Sequence, residues 1–318
     1  MITEPFSVAL FKEFDKRKYQ YSIIDEHTKI HQIDTGNVKF LVFANGSATY
    51  LDSYAGVGIS QSKHTTNVFL KENNYPHTEQ ILVNSILALD DCLDQIGYPL
   101  VLKPISHDNG RGVFCNLTSR DDVLFFLNEN KPLYMGGIIL EKQEIGNDYR
   151  ITLIGNKFAF AIKRTPPVIV GDGVSTVEEL IHSQNQKLKD NFVENQVQKT
   201  IPIDSELKRI LKRNNITEES VIAKEEIIQL KSISNLSVGG GRELIDESEI
   251  HPQVIEMCET ISKRLNMFSV GIDYITEDIS KPPEIHKDAI IEVNNNPQLG
   301  AVWAPMFIDR LINVVANK

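Results

Sequence analysis

Apolar residues in this chain gather in short runs closed by glycine, asparagine or proline, and between those runs they fall at helical spacing. Ile290-Ile291-Glu292-Val293-Asn294-Asn295-Asn296-Pro297 is of the first kind: β-branched residues favour a strand, and Asn-Asn-Asn-Pro ends it. Phe268 to Ile275, Leu100 to Pro104 and Gly137 to Lys142 read the same way. Ile151 to Ile154, the turn Gly155-Asn156 and Lys157 to Arg164 predict a hairpin. Val38 to Ala44 predicts a strand that turns at Asn45-Gly46, with Ser47 to Leu51 as the returning strand. Helical spacing predicts a short helix from Phe6 to near Lys18, one capped by Ser62, and one from Val83 to Gln95 with Ile86, Leu87, Leu89, Leu93 and Ile96 on or near its inner side. Further helices are predicted from Asp121 to Leu127 behind Ser119, from Ser175 or Thr176 onward, from Ser205 to Asn214, from His251-Pro252 onward and from Pro305 to Val315. His182 to Lys199 has few apolar anchors and reads as a solvated helix or a long loop.

Strand periodicity places chemistry. Glu292 and Asn294 are two apart, so they point to one side, where a carboxylate and an amide oxygen can hold a hard cation such as Mg²⁺. Asp273 sits among apolar residues of a second strand and can join them. Lys103, at the end of its run before Pro104, can project into a cleft. Ser106 to Val113 is a loop containing Gly110, Arg111 and Gly112, whose backbone amides can wrap a phosphate. It is neither a P-loop nor a dinucleotide fingerprint, since no helix opens directly after its glycines. Arg150 and Lys163 lie at strand ends, where two cations can clamp a triphosphate or a carboxylate. Each pattern alone also fits a bland role: an edge-strand lysine, a surface hairpin, a surface ion pair, or core strands with wet ends.

Composition narrows the class. A chain of 318 residues is long enough for two compact domains or one large α/β unit. A formal net charge of -10 argues against a nucleic-acid scaffold, though it leaves room for a local basic pocket. Cys92, Cys115 and Cys258 are far apart, show no metal-ligand spacing and suit a reducing compartment. There is no basic leader with an apolar core and no uncharged run of membrane-spanning length, so a cytoplasmic protein with no membrane partner is expected.

In order along the chain come Ser62-Lys63 with Thr66, Leu102-Lys103-Pro104, Gly110-Arg111-Gly112, and Glu141-Lys142 followed by Gly146 to Arg150. Then come Val170-Gly171-Asp172-Gly173 with Thr176-Val177, Asn235 to Gly240, and Gly271-Ile272-Asp273 paired with Glu292-Val293-Asn294. This series resembles the ATP-grasp superfamily of carboxylate–amine ligases, and within it the ATP-grasp region of cyanophycin synthetase and of bifunctional glutathione synthetase. The likeness runs from about residue 60 to the end. It implies an α/β (α+β) ATP-grasp fold, two α+β subdomains clasping ATP. Residues 1–58 form a short N-terminal region, 59–138 the central subdomain, and 139–318 the C-terminal subdomain with an insertion at about 165–240.

The resemblance also implies roles. Lys63 and Lys103 look like ATP contacts, Lys103 at the phosphates, and Ser106, Gly110, Arg111 and Gly112 like the mobile loop over them. Glu141 and Lys142 resemble the hinge beside adenine, and Asp148 the acid at the ribose hydroxyls. Arg150, Lys163 and Arg164 resemble phosphate or acyl-phosphate contacts, and Asn235, Ser237, Gly239 and Gly240 the loop beside the reacting carboxylate. Asp273, Glu292 and Asn294 resemble the Mg²⁺ ligands, with Mn²⁺ as the alternative metal. Arg242 departs from the relatives; it reads as a substrate-carboxylate contact or as a surface arginine. Trp303 falls near the expected acceptor pocket, lining it or packing under it, and Cys115 reads as a packing residue. The implied activity is ATP-dependent ligation of a carboxylate to an amine, on amino acid or peptide substrates, releasing ADP and phosphate. A kinase that stops at phosphoryl transfer and a non-catalytic nucleotide-binding protein are the alternatives. A homodimer is a family-level expectation: the N-terminal region either pairs with another copy or packs on its own subunit.

Overall fold

In a computed structural model of the chain, residues 5–43, 49–83, 85–105, 110–190, 200–235 and 238–317 are described. Phe6, Leu10 and Phe14 recur at helical spacing and form the buried side of α1 (Pro5–Lys16). It packs on an antiparallel sheet of β1 (Gln20–Asp25), β2 (Ile30–Asp34) and β3 (Lys39–Phe43). The returning strand expected from Ser47 to Leu51 falls partly outside the described residues; Thr49 makes an isolated bridge to Val42. Then follow α2 (Tyr54–Ser60) and α3 (Lys63–Glu72). Each is capped by a serine, Ser53 accepting from the Gly56 amide and Ser62 from the Thr65 amide.

The next unit contains β4 (Gln80–Val83), α4 (Leu89–Ile96), β5 (Leu100–Pro104), β6 (Phe114–Leu117), α5 (Arg120–Glu129) and β7 (Ile138–Lys142), with strand order β4-β7-β5-β6. The helix expected from Val83 is corrected here. Gln80 to Val83 pairs with Ile138 to Glu141, so a distant partner makes it strand, and helical structure begins only at Ile86, as a short 3₁₀ turn that leads into α4 at Leu89. Ile86 and Leu87, expected inward, are 62% and 92% exposed.

The remainder builds β8 (Asn147–Ile154), β9 (Lys157–Thr165), β10 (Val168–Val170), α6 (Val177–Asp190), α7 (Ser205–Arg213), β11 (Ile227–Gln229), β12 (Gly241–Ile245), α8 (Pro252–Leu265), β13 (Ser269–Thr276), β14 (Ala289–Asn294) and α9 (Ala304–Ala316). Five of these strands form one antiparallel sheet in the order β12-β9-β8-β13-β14. Alternation gives it two apolar faces. Ile151, Leu153, Val270 and Ile272 meet α8 on one face. Ile154, Phe160 and Phe268 meet α1, β2, β3 and α9 on the other. The rings of Phe6 and Phe307 touch edge to face at 5.3 Å there, so the N-terminal region packs on its own subunit. Trp303 stacks on Phe160 at 4.3 Å within this cluster.

Between β9 and β12 the chain forms a module with its own small core. β10 pairs with β11, and Ile169, Val177, Ile181, Leu207, Leu211 and Ile228 pack together. Helix α6 extends the helical reading of the polar run as far as Asp190, and residues 191–199 lie outside the described ones. Among the described residues no helix is long and apolar enough to cross a membrane.

Candidate active site

The four-stranded and five-stranded sheets face each other across a cleft of about 520 Å³, within the size range of small-molecule sites. On the five-stranded side, register sets the chemistry. Arg150 of β8, Asp273 of β13 and Glu292 of β14 stand directly opposite one another across three neighbouring strands. One strand further, Arg164 of β9 stands opposite Asp148 of β8. Gly271 leaves room for this row, since a Cβ there would lie 3.1 Å from Pro297 and 3.5 Å from the Arg150 side chain.

Side chains close the row. Arg150 donates from Nε and Nη2 to the two oxygens of Asp273, at 2.6 and 2.7 Å. Arg164 donates to Asp148 at 2.6 Å and lies 2.9 Å from Asp273. Burial alone would raise the Asp273 carboxyl, but Arg150 and Arg164 hold it well below the usual carboxylate range. For Arg164 the two carboxylates outweigh burial and raise its pKa. Lys63, in the first turn of α3, lies 3.5 Å from Glu292.

On the opposite side Lys103 is almost fully buried and donates to Glu141 on the adjacent strand. Burial would discharge this lysine, but the Glu141 carboxylate more than offsets that and raises its pKa. The other Glu141 oxygen accepts from Gln80 at 3.2 Å, and Gln80 Oε1 lies 3.1 Å from His64 Nδ1. A polar chain thus runs from α3 to Lys103.

Bases stand on both sheets: Lys103 comes from the four-stranded side, and Arg150 and Arg164 share the sheet of Asp273 and Glu292. Asp148, Asn235, Asn294 and Gly110 also line the cleft. Gly110, at φ +70°, lets its loop come close to the far side, where a Cβ would lie 2.7 Å from Ile233 and 3.3 Å from Asn235.

The other sequence candidates stand elsewhere. Lys163 pairs in register with Tyr149, so it faces the α8 side, opposite to Arg164. Lys142 is exposed and lies 3.5 Å from Glu79 at the surface. Arg111 is exposed, and Gly112 is buried against Leu133 and Pro104. Gly239 and Gly240 are buried in a turn in which the Gly240 amide donates to the Asn235 carbonyl at 3.1 Å. Gly240 serves a close approach of the chain to itself, 2.9 Å from a Cβ position to the Thr165 carbonyl. Arg242 stands opposite Arg164 on the edge strand and is exposed. Ser106 and Ser237 lie outside the described residues.

Some of the cleft has no local sequence signal. Phe6 reaches it from the N-terminal helix, and Ser232 and Ile233 arrive with the end of the inserted module. Ser232 Oγ accepts from the Cys115 amide at 3.4 Å. Burial, and then the Glu141 carboxylate, push the Glu144 carboxyl in the cleft wall up to about 7. Cys115 also lines the cleft, but burial pushes its thiol up to about 12 against the pull of Lys103, so it holds no thiolate near neutrality.

Two carboxylates and an amide suit a hard cation that takes its remaining oxygens from phosphate and water. The fit has a structural mark: the buried Asn294 amide nitrogen has no hydrogen-bond partner, and exchanging its nitrogen and oxygen puts an acceptor there. Among the described residues no group of three or more His, Cys, Asp or Glu side chains is arranged to hold a metal.

No protein-family profile matches the chain. It is 32% identical over 304 residues to cyanophycin synthetase of Geminocystis herdmanii, covering 95% of this chain and 34% of that protein. It is 27% identical over 297 residues to the bifunctional glutathione biosynthesis protein of Mannheimia succiniciproducens, covering 92% of this chain and 39% of that one. The chain thus spans about a third of the length of the curated relatives it matches. The crystal structure of a bifunctional glutathione synthetase from Pasteurella multocida superposes with a TM-score of 0.66 at 24% identity, over 98% of this chain and 44% of that one. By name these relatives make cyanophycin or glutathione. The resemblance drawn from the motifs holds for the fold.

Proposed function

We propose that this chain, an ATP-grasp protein by its fold, is an ATP-dependent ligase that activates a carboxylate as an acyl phosphate and joins it to an amine. The observation that carries this reading is Lys103 facing, across one cleft, the Asp273–Glu292 pair flanked by Arg150 and Arg164. The names of the relatives point to amino acid or peptide substrates, as in glutathione or cyanophycin synthesis. The four-stranded and five-stranded units are the two halves of the clasp, with 1–58 a short N-terminal region and about 165–240 an insertion; β7 belongs to the first half, so the boundary lies after Lys142 rather than at 138/139. A cytoplasmic setting belongs to the same reading.

In this mechanism a substrate carboxylate oxygen attacks the γ-phosphorus of ATP and ADP leaves. The amine then attacks the acyl carbonyl, a tetrahedral intermediate forms, and phosphate departs as the nitrogen loses a proton. Lys103, Arg150 and Arg164 stabilise charge on the phosphoryl oxygens. Asp148 faces the ribose hydroxyls, and the backbone from Glu141 to Gln143 the adenine. Asn235 stands beside the reacting carboxylate. The Gly110 loop keeps water from the acyl phosphate. Asp273, Glu292 and Asn294 would hold Mg²⁺, or Mn²⁺ in its place, which would offset charge on the transferring group. No protein nucleophile is needed, which agrees with a protonated Cys115.

The test is an ADP-release screen with Mg²⁺ over amino acids and short peptides, paired with amines. A γ-glutamyl dipeptide with glycine comes first; silence there removes the glutathione-like version alone. A stable phosphorylated product with no amine incorporated makes the chain a kinase. No ADP release over a broad set of pairs makes it a nucleotide-binding protein.

A further inference from the structure

The cations of the cleft are already held by its carboxylates. Lys103 is bound to Glu141, Lys63 lies 3.5 Å from Glu292, and Arg164 donates to Asp148 at 2.6 Å. Asp273 is the centre of this self-neutralised set. Both of its oxygens accept from Arg150, Arg164 lies 2.9 Å away, and its side chain is 3% exposed. A guanidinium fork that grips a carboxylate through two parallel N–H bonds grips phosphate in the same way. Asp273 therefore stands where phosphate oxygens would bind.

We propose that Asp273 is an internal competitor that keeps metal-free nucleotide out of the cleft, so that nucleotide and divalent metal enter as one unit. This rests on the reading of Asp273 and Glu292 as the metal side of the site. A bare nucleotide would bring negative charge to arginines already neutralised, beside a carboxylate with nowhere to go. A bare cation would meet a carboxylate whose two oxygens are engaged. When both arrive, the contacts exchange evenly: the arginines trade carboxylate for phosphate, and Asp273 trades arginine for metal. The selectivity lies in the Arg150–Asp273 grip rather than in a separate gate.

Calorimetry or equilibrium dialysis measures it without turnover. For the native chain, ATP should bind at least about tenfold more tightly in Mg²⁺ than in EDTA, a coupling of ordinary size, and Mg²⁺ without ATP should show no saturable binding at millimolar concentration. Asp273→Asn keeps the shape and removes the charge. It should bind ATP in EDTA at least about tenfold more tightly than the native chain does, and lose the gain that Mg²⁺ brings. An Asp273→Asn chain, folded by circular dichroism, that binds metal-free ATP no better than the native chain overturns the proposal. If that variant does not fold, the native chain decides: equal affinity for ATP with and without Mg²⁺ overturns the competitor role and leaves the ligase reading standing. A native chain that binds ATP in neither condition overturns both.

Discussion

Arg213 of α7 donates to Asp122 of α5, a carboxylate whose side chain is 3% exposed, and so ties the inserted module to the four-stranded unit. Arg209 reaches the same carboxylate and lies over the Phe125 ring at 5.2 Å. From α7 the connection continues into the cleft: Glu206 accepts from Ser232, and Ser232 accepts from the Cys115 amide. Removing Asp122 takes the partner from two arginines that are 25% and 35% exposed, so water screens part of the loss. With the bonds that Asp122 also accepts from Thr118, Asp122→Ala should cost about 1 to 2 kcal/mol in urea unfolding. Hydrogen exchange should quicken across Ser205–Arg213; an α7 that stays as protected as in the native chain would show that α5 does not hold it.

Glu292 is 27% exposed and its ion contacts are long, 3.5 Å to Lys63 and 4.0 Å to Arg150, so the fold depends on it little. Glu292→Gln should lower ADP release by about 100-fold or more, the scale of one misplaced electrostatic contact in a phosphoryl-transfer site. Its melting temperature should stay near the native value. Largely intact turnover would refute the metal assignment.

Glu144 gives a pH signature. Burial and Glu141 raise its carboxyl from an ordinary 4.5 to about 7 in the folded chain. The folded state then binds the proton more tightly than the unfolded one. Its contribution to stability is fully present below pH 4.5 and is lost as pH rises through about 7. Melting curves at intervals from pH 5 to 8 should show Glu144→Gln gaining on the native chain as pH rises. Parallel curves would remove Glu144 as the source.

Phe6 joins the first helix to the last through its contact with Phe307, and it is 1% exposed. Phe6→Ala should cost about 3 to 5 kcal/mol, the usual penalty for emptying a buried aromatic site. Phe6→Leu should recover part of that loss. A chain indifferent to both changes would mean that α1 adds nothing to the core of the five-stranded sheet.

The parts of the site that could be read from sequence are those fixed by local periodicity. Alternation alone puts Glu292 and Asn294 on one side of β14, and the run before Pro104 puts Lys103 at a strand end. The same rule separates Lys163 from Arg164, and naming both as phosphate contacts overlooked it. What was illegible depends on partners far along the chain. Gln80 to Val83 is a strand because β7 pairs with it, Phe6 reaches the cleft because α9 positions α1, and Ser232 is brought there by the fold of the inserted module. The carboxylate partners of the arginines belong here too. Asp148 and Arg164 become neighbours through the β8–β9 hairpin, but Arg150 meets Asp273 only once β13 has joined the sheet.

The inserted module leaves from β9 and returns on β12, and these two strands are hydrogen-bonded neighbours, with Thr165 opposite Gly241 and Arg164 opposite Arg242. In topological terms it is a hairpin loop grown to the size of a module with a core of its own. Loop-closure entropy rises only with the logarithm of length, so such a loop weighs little on the sheet that closes it. On this topology the module is the place where chain length can change at little entropic cost to the sheet. The Arg164–Arg242 register survives such editing because the sheet sets it, and contacts such as Asp122–Arg213 are what a new module must replace.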